Sequence, residues 1–372
     1  MFIEREKIMK KRFLSVLMTL LLLMSSVAVF AEETTYTISL ENAINMAMED
    51  NPQFVSADAK IKNAEKQVEK AKKDQKNVKG FIRLPANFAL VPVKNGYYVE
   101  QARIGVESAK REKVKSENAL RYDVTQKYYS VKLAEALLSS VQDTYKITEE
   151  NKKAIDIQFG LGMVSQLDVD NAEYALMQTK AACEKYERNL DVAEESLKIA
   201  LQIDGQDVKL NLTDGIEFTP FETNVEEDVE NAMESRLDVY MLKSTCEQAE
   251  KYLKATSALG NNSAEYSAAN QTLIQNQYTY TNSKKMIGLS IIAAYNDILN
   301  AADSVHLAER NVELKTQEYN VAKIQYDIGM ITNTQLTGAL SAVTSAKIEL
   351  ENAKLTYKLA VEKYSYEITL GL

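Results

Sequence analysis

The sequence predicts a mainly α protein: two tandem repeats of long antiparallel coiled-coil helical hairpins, with at most a short β-hairpin. Three observations predict it. Only 12 glycines and 4 prolines occur in 372 residues, so little interrupts a helix, and Ala, Lys, Glu and Leu dominate. Apolar and small residues recur at alternating steps of three and four, the spacing of a coiled-coil seam. The chain also repeats itself. Displaced by 167, residues 128–146 overlie 295–313, and Phe159, Gly162 and Met163 meet Tyr326, Gly329 and Met330. Displaced by 185, residues 47–66 overlie 232–251, so the first copy holds 18 extra residues between these landmarks.

Taken in order, residues 1–31 read as a secretory signal peptide. Lys10, Lys11 and Arg12 form a basic start, an apolar run follows from Phe13, and Ala31 stands at the cleavage position. An uncleaved membrane anchor is the alternative, because Phe13–Ala31 approaches the ~20 residues that span a bilayer. The first structural repeat is expected over 32–203. It opens with a seam of Phe54, Ala57, Ile61, Ala64, Val68 and Ala71, then a short extended segment over 76–96, then a long helical hairpin with Ala172, Leu176, Thr179, Cys183, Tyr186, Leu190, Ala193, Leu197 and Ala200 on its returning arm. Residues 204–222, with Gly205, Gly215 and Pro220, read as a linker holding a short strand or two. The second repeat is expected over 223–372. Its first seam is Val239, Leu242, Cys246, Ala249 and Leu253. Its long outgoing helix carries Ile291, Ala294, Ile298, Ala301, Val305, Ala308 and Val312. The returning arm carries Ala339, Val343, Ala346, Leu350, Ala353, Tyr357, Ala360 and Tyr364. From about Asn262 to Asp327 there is no proline and one glycine, Gly288, a run of ~95–100 Å as helix. A helix so long with so narrow a seam needs neighbours on more than one side, which predicts oligomerisation.

Chemistry finds little support. The formal charge of −9 argues against nucleic acid. His306 is the lone histidine and reads as a surface or interhelical residue. Cys183 and Cys246 occupy the seam slots of Leu350 and Ile61, and so read as small apolar core residues. Gly160-x-Gly162 lacks both the third glycine and the preceding strand of a dinucleotide loop. No catalytic, cofactor or metal residue is assigned, and the chain is read as a non-enzyme.

The doubled architecture, the leading TISLENAINMAMEDNP (37–52) and the phrase FGLGMVSQLDVDNA (159–172) resemble the TolC-like outer membrane efflux proteins, also called outer membrane factors. Phe159, Gly162, Asp168, Asn171 and Ala172 fit the family's turn pattern. The second copy keeps Tyr326, Gly329 and Ala339, with Gln335 in place of the Asp and Gly338 in place of the Asn. The resemblance covers nearly all of 37–372. It implies a homotrimeric α-barrel serving as a passive conduit in efflux or type I secretion, in the outer membrane, with a periplasmic adaptor and an inner-membrane transporter as partners. It places Phe159, Gly162, Met163, Tyr326, Gly329 and Met330 at the tip where the adaptor docks, and makes Asp168, Asn171 and Gln335 candidate constriction residues. Membrane contact is expected through residues 76–96. The second copy has only SALGNNSA (257–264) at the equivalent place. A non-conducting exported helical scaffold of the cell envelope is the alternative reading.

Overall fold

The computed structural model describes residues 34–49, 51–78, 82, 86–204 and 208–370. The expected signal peptide lies outside the described residues. The chain divides into two compact units.

The smaller unit holds strand β1 (Thr34–Ile38) and most of β2 (Val208–Leu212), paired in a two-stranded sheet. Strand β2 alternates buried and exposed residues, with Val208 and Leu210 inside, as a half-buried strand should. Asn211 Nδ2 donates to Thr37 Oγ1 at 3.3 Å.

The larger unit is helical. Its elements are α1 (Leu40–Met48), α2 (Pro52–Asn77), α3 (Leu90–Lys94), α4 (Tyr97–Gly160), α5 (Gln166–Ala200), α6 (Val225–Ser235), α7 (Leu237–Thr256), α8 (Ala264–Asp327) and α9 (Asn333–Glu367). The repeat is written into these bounds. Adding 167 to the limits of α4 and α5 gives the limits of α8 and α9, and adding 185 to the first residues of α1 and α2 gives those of α6 and α7. Helices α4 and α8 each run 64 residues, about 96 Å.

A helix that long must be covered along its whole length. Here two shorter helices share the task. Helix α2 runs against the first half of α4, where Lys113 Nζ meets Asp58 Oδ1 at 2.7 Å. Helix α5 takes over from the middle of α4, where Ala193 and Ser196 lie beside Gln126 and Lys127. In the second copy α7 and α9 divide α8 in the same way. The predicted seams are the core. Ile291, Ile298, Val305, Leu197, Val239 and Tyr364 are all almost fully buried.

The four hairpin helices form one layer in the order α5, α4, α9, α8. Thr144 of α4 and Thr344 of α9 join the two copies, their hydroxyls 2.6 Å apart. The linker is tied down at both copies. Asp214 accepts from the Leu40 amide at 2.6 Å and from the Tyr128 hydroxyl at 3.1 Å. Phe218 and Phe221 pack on the rings of Tyr357 and Tyr364, and the Tyr357 hydroxyl donates to the Thr219 carbonyl at 2.8 Å.

The extended segment expected over 76–96 is corrected by the described residues. Helix α2 continues through Asn77, residues 86–89 form a turn, and 90–94 are the helix α3. Pro92 fits there because the first turn of a helix has amides with no intrahelical acceptor, so the missing N–H costs nothing. Val91 and Pro92 are buried, and Gln75 Nε2 donates to the Lys94 carbonyl at 3.1 Å. In the second copy the counterpart is one 3₁₀ turn, Ser257–Leu259, and a short bend before α8.

Candidate functional site

The two glycine turns have the same geometry. Helix α4 ends at Gly160, and Gly162 takes φ +74°, which a side chain would disfavour. The Gly162 amide donates to the Phe159 carbonyl and the Met163 amide to the Gln158 carbonyl, both at 2.9 Å. That pair of bonds is the Schellman motif. In the second copy Gly329 takes φ +76°. Its amide donates to the Tyr326 carbonyl at 2.9 Å, and the Met330 amide to Gln325 at 2.8 Å.

Each turn then starts the returning helix with a capping box. The Asp168 amide donates to Ser165 Oγ, while Asp168 Oδ2 accepts from the Ser165 amide at 2.9 Å and its hydroxyl at 2.7 Å. These Ser165 hydrogen bonds hold the Asp168 carboxyl below the usual aspartate range. Thr332 and Gln335 form the same box, with Gln335 Oε1 accepting from the Thr332 amide at 2.9 Å. So the Asp-to-Gln difference between copies preserves the cap, since the box needs an acceptor and not a charge. All of Asp168's capping bonds fall on Oδ2, and Oδ1 takes no part in them. Asn171 is exposed one turn further on.

Both turns lie at one end of the layer. The Tyr326 hydroxyl is pushed up by burial and also by the charges of Asp168 and Asp327, which places Asp168 of one turn beside the other. The patch is apolar. Phe159, Leu161, Met163, Leu167, Ile328 and Met330 are exposed there, most of them by about two-thirds. Of these, Leu161, Leu167 and Ile328 escape a motif reading. The signal that finds them is an apolar residue off the core seam within one turn of a helix reversal.

A second set of exposed apolar residues follows the layer's edges. On α8, Leu307, Leu314 and Val321 repeat every seven residues, and Ile328 just past its end keeps the spacing. On α5, Leu167, Tyr174, Met177, Val192 and Ile199 are exposed. The inner helices differ. Neither α4 between 115 and 156 nor any part of α9 exposes a large apolar side chain.

The remaining chemistry-bearing residues are structural. Cys183 and Cys246 are buried and unpaired, and burial pushes both thiols up. His306 is exposed, its ring edge-on to Phe218 at 5.0 Å. Among the described residues no cluster of His, Cys, Asp or Glu is arranged to hold a metal ion, and no helix is long and apolar enough to cross a membrane.

A layer of four long helices with capped reversals at one end is the architecture to compare with known proteins. Residues 257–363, most of the second copy, match the family model described as outer membrane efflux protein. The first copy repeats the hairpin of that region at an offset of 167, and the resemblance read from the sequence holds. No curated protein matches the chain. Solved structures share the fold throughout. The Campylobacter jejuni CmeC outer membrane channel is 13% identical with a TM-score of 0.69, over 88% of this chain and 85% of that one. The outer membrane protein VceC of Vibrio cholerae is 12% identical with a TM-score of 0.70, over 89% and 96%. The Neisseria gonorrhoeae MtrE outer membrane channel, in its open state, is 14% identical with a TM-score of 0.70, over 90% and 89%. The matched family is described as one of efflux proteins, and the CmeC and MtrE structures are described as channels.

Proposed function

We propose that the chain is the protomer of an outer-membrane-factor-like channel, a passive conduit for efflux or type I secretion. The observation that carries this reading is the helical layer with two apolar edges, α5 and α8, while α9 and the stretch 115–156 of α4 expose no large apolar side chain. A layer with two different sticky edges joins edge to unlike edge. Such a heterologous contact closes into a ring when its rotation allows. Three copies would pool twelve long helices into a barrel wall, and their six glycine turns would gather at one rim.

On that rim Phe159, Met163 and Met330 offer apolar contacts for a periplasmic adaptor and its inner-membrane transporter. Gly162, Gly329 and Tyr326 shape the turns. Asp168 is first a cap, and its Oδ1 leaves one charged oxygen for a constriction shared with Asn171 and Gln335. The test is the purified protein in mild detergent, with mass by native mass spectrometry and conductance in planar bilayers. A trimer with steady single-channel steps is expected. A species soluble without detergent that conducts nothing would sink the channel reading.

The second reading, an exported non-conducting scaffold of the envelope, is favoured by one observation. Residues 86–96 fold as a turn and a helix, and residues 257–263 are too few for a membrane-crossing hairpin, which needs ~9–11 residues per strand.

A further inference from the structure

A groove of about 490 Å³ lies where α7 passes between the first halves of α4 and α8. That volume falls within the range of ligand pockets. The groove follows α4 from Tyr97 to Ser108, roughly 16 Å of helix. The Tyr97 and Tyr252 rings meet at one end, 5.7 Å apart, and the Ser108 hydroxyl donates to Met241 Sδ at the other. Thr245 and Thr272 stand exposed at its mouth.

Three features set this groove apart. None of its lining residues is charged, in a chain where 26% of residues are. On α8 the neutrality extends over 266–283, between Glu265 and Lys284. Charged neighbours on α4 and α7 pair with one another, Glu100 with Lys251 at 3.4 Å and Glu107 with Arg111 at 2.8 Å, and Glu247 does not line the groove. The second feature is Gln248. Its amide is buried in the wall, and neither Nε2 nor Oε1 has a hydrogen-bond partner among the described residues. An unpaired buried amide is costly, and this one breaks no bond by turning into the groove. The third is Gly105, inside a long helix where alanine would be the better former. No atom lies within 4 Å of the place where its Cβ would stand, so packing does not demand glycine there. Its effect is to leave the groove open. Thr272, 167 residues on, lines the same groove from the equivalent position of α8.

Uncharged amides and hydroxyls beside aromatic rings match the chemistry of a neutral sugar. A sugar hydroxyl donates and accepts at once, a carboxamide does the same, and the C–H face of a pyranose lies against an aromatic ring. An open groove of this length takes a chain of rings. We propose that it binds a neutral saccharide chain, with Gln248 turned onto the sugar hydroxyls, Tyr252 against a ring face and Gly105 making room. The site lies within one chain and needs no conduction, so it stands or falls apart from the channel reading.

The test is isothermal titration calorimetry of the processed protein, in a mild detergent without a sugar headgroup. Maltotriose and tri-N-acetylchitotriose are the neutral probes, glucose the single ring and trigalacturonate the charged chain. Binding of a neutral trisaccharide, about tenfold or more tighter than glucose or trigalacturonate, is expected. Gln248→Leu removes the unpaired amide, so the fold should hold while binding falls about tenfold or more. Gly105→Leu fills the groove and favours the helix, and should abolish binding. Circular dichroism checks that both variants keep their helices. The proposal is overturned if neither trisaccharide binds, if trigalacturonate binds equally, or if the folded variants bind as the parent does. Glucose binding as tightly as the trisaccharides would overturn it in favour of a free sugar. Binding confined to the edge variant Leu314→Glu with Val321→Glu would overturn it in favour of a neighbouring copy that fills the groove.

Discussion

Two glycines carry the reversals of this protein. Gly162 and Gly329 sit at φ +74° and +76°, with open space around the position of a Cβ, so the constraint on them is backbone strain alone. Gly162→Ala and Gly329→Ala should each cost about 1 kcal/mol and lower the thermal midpoint. Gly160→Ala is the control. It is helical, with equally open space, and should be neutral or slightly stabilising. A drop of the same size at all three positions would defeat the account. The caps are testable by pH. The Ser165 bonds lower the folded-state value of Asp168, so its contribution is present above the unfolded carboxylate pKa of about 3.9 and is lost as pH falls through the depressed folded value. Acid titration of stability should show this component in the parent chain and not in Asp168→Gln, which copies Gln335. An identical acid profile for the two would show that the cap carries no linked proton.

At the scale of elements, one hydroxyl pair links α4 to α9, beside the edge-on rings of Tyr122 and Tyr366 and Lys358 over the Tyr129 ring. One of these hydroxyls donates to the other, and each also has the carbonyl four residues back within reach, Ser140 at 3.0 Å from Thr144 and Leu340 at 3.2 Å from Thr344. Neither is orphaned when the other is removed. Thr144→Val and Thr344→Val should therefore cost about 1 kcal/mol each, and the double variant less than their sum, with a coupling of at least ~0.5 kcal/mol. Strict additivity in thermal or denaturant unfolding would show that α4 and α9 do not share that bond. Helix ends are tied across the chain as well. Arg236, at the start of α7, donates to the Glu367 carbonyl at 2.7 Å and its carboxylate at 2.8 Å, closing the end of α9. The capping boxes and glycines that bound α5 and α9 lie within a few residues of each other in the chain, so they could be read from sequence. The Arg236 tie spans 131 residues and could not.

For the whole molecule, the two apolar edges set the expected assembly. Leu314→Glu with Val321→Glu spoils the α8 edge, and Tyr174→Glu with Met177→Glu spoils the α5 edge. All four residues are exposed in the single chain, so the fold should survive. Either pair should turn a trimer into a monomer by native mass spectrometry. Mixed together, the two variants should form a dimer and stop, because each retains the edge that its partner needs. A variant that forms dimers with itself would instead indicate like-to-like edges and overturn the ring.

The sequence by itself determined the helices, the duplication and both reversals. Seam spacing, glycine scarcity and caps are local signals, and the offsets of 167 and 185 place the matched helix starts to the residue. The residues of the reversals were legible in part, because Phe159, Gly162 and Asp168 belong to a compact phrase while Leu161 and Ile328 do not. Tertiary structure alone decided that β1 pairs with β2, a partner about 170 residues away, and that Asp214, Phe218 and Phe221 pin the linker to both copies. It also decided that 90–94 is helix rather than strand, and that α5 and α8 are the open edges. Periodicity says which face of a helix is apolar. Only packing says whether a neighbour is there to cover it.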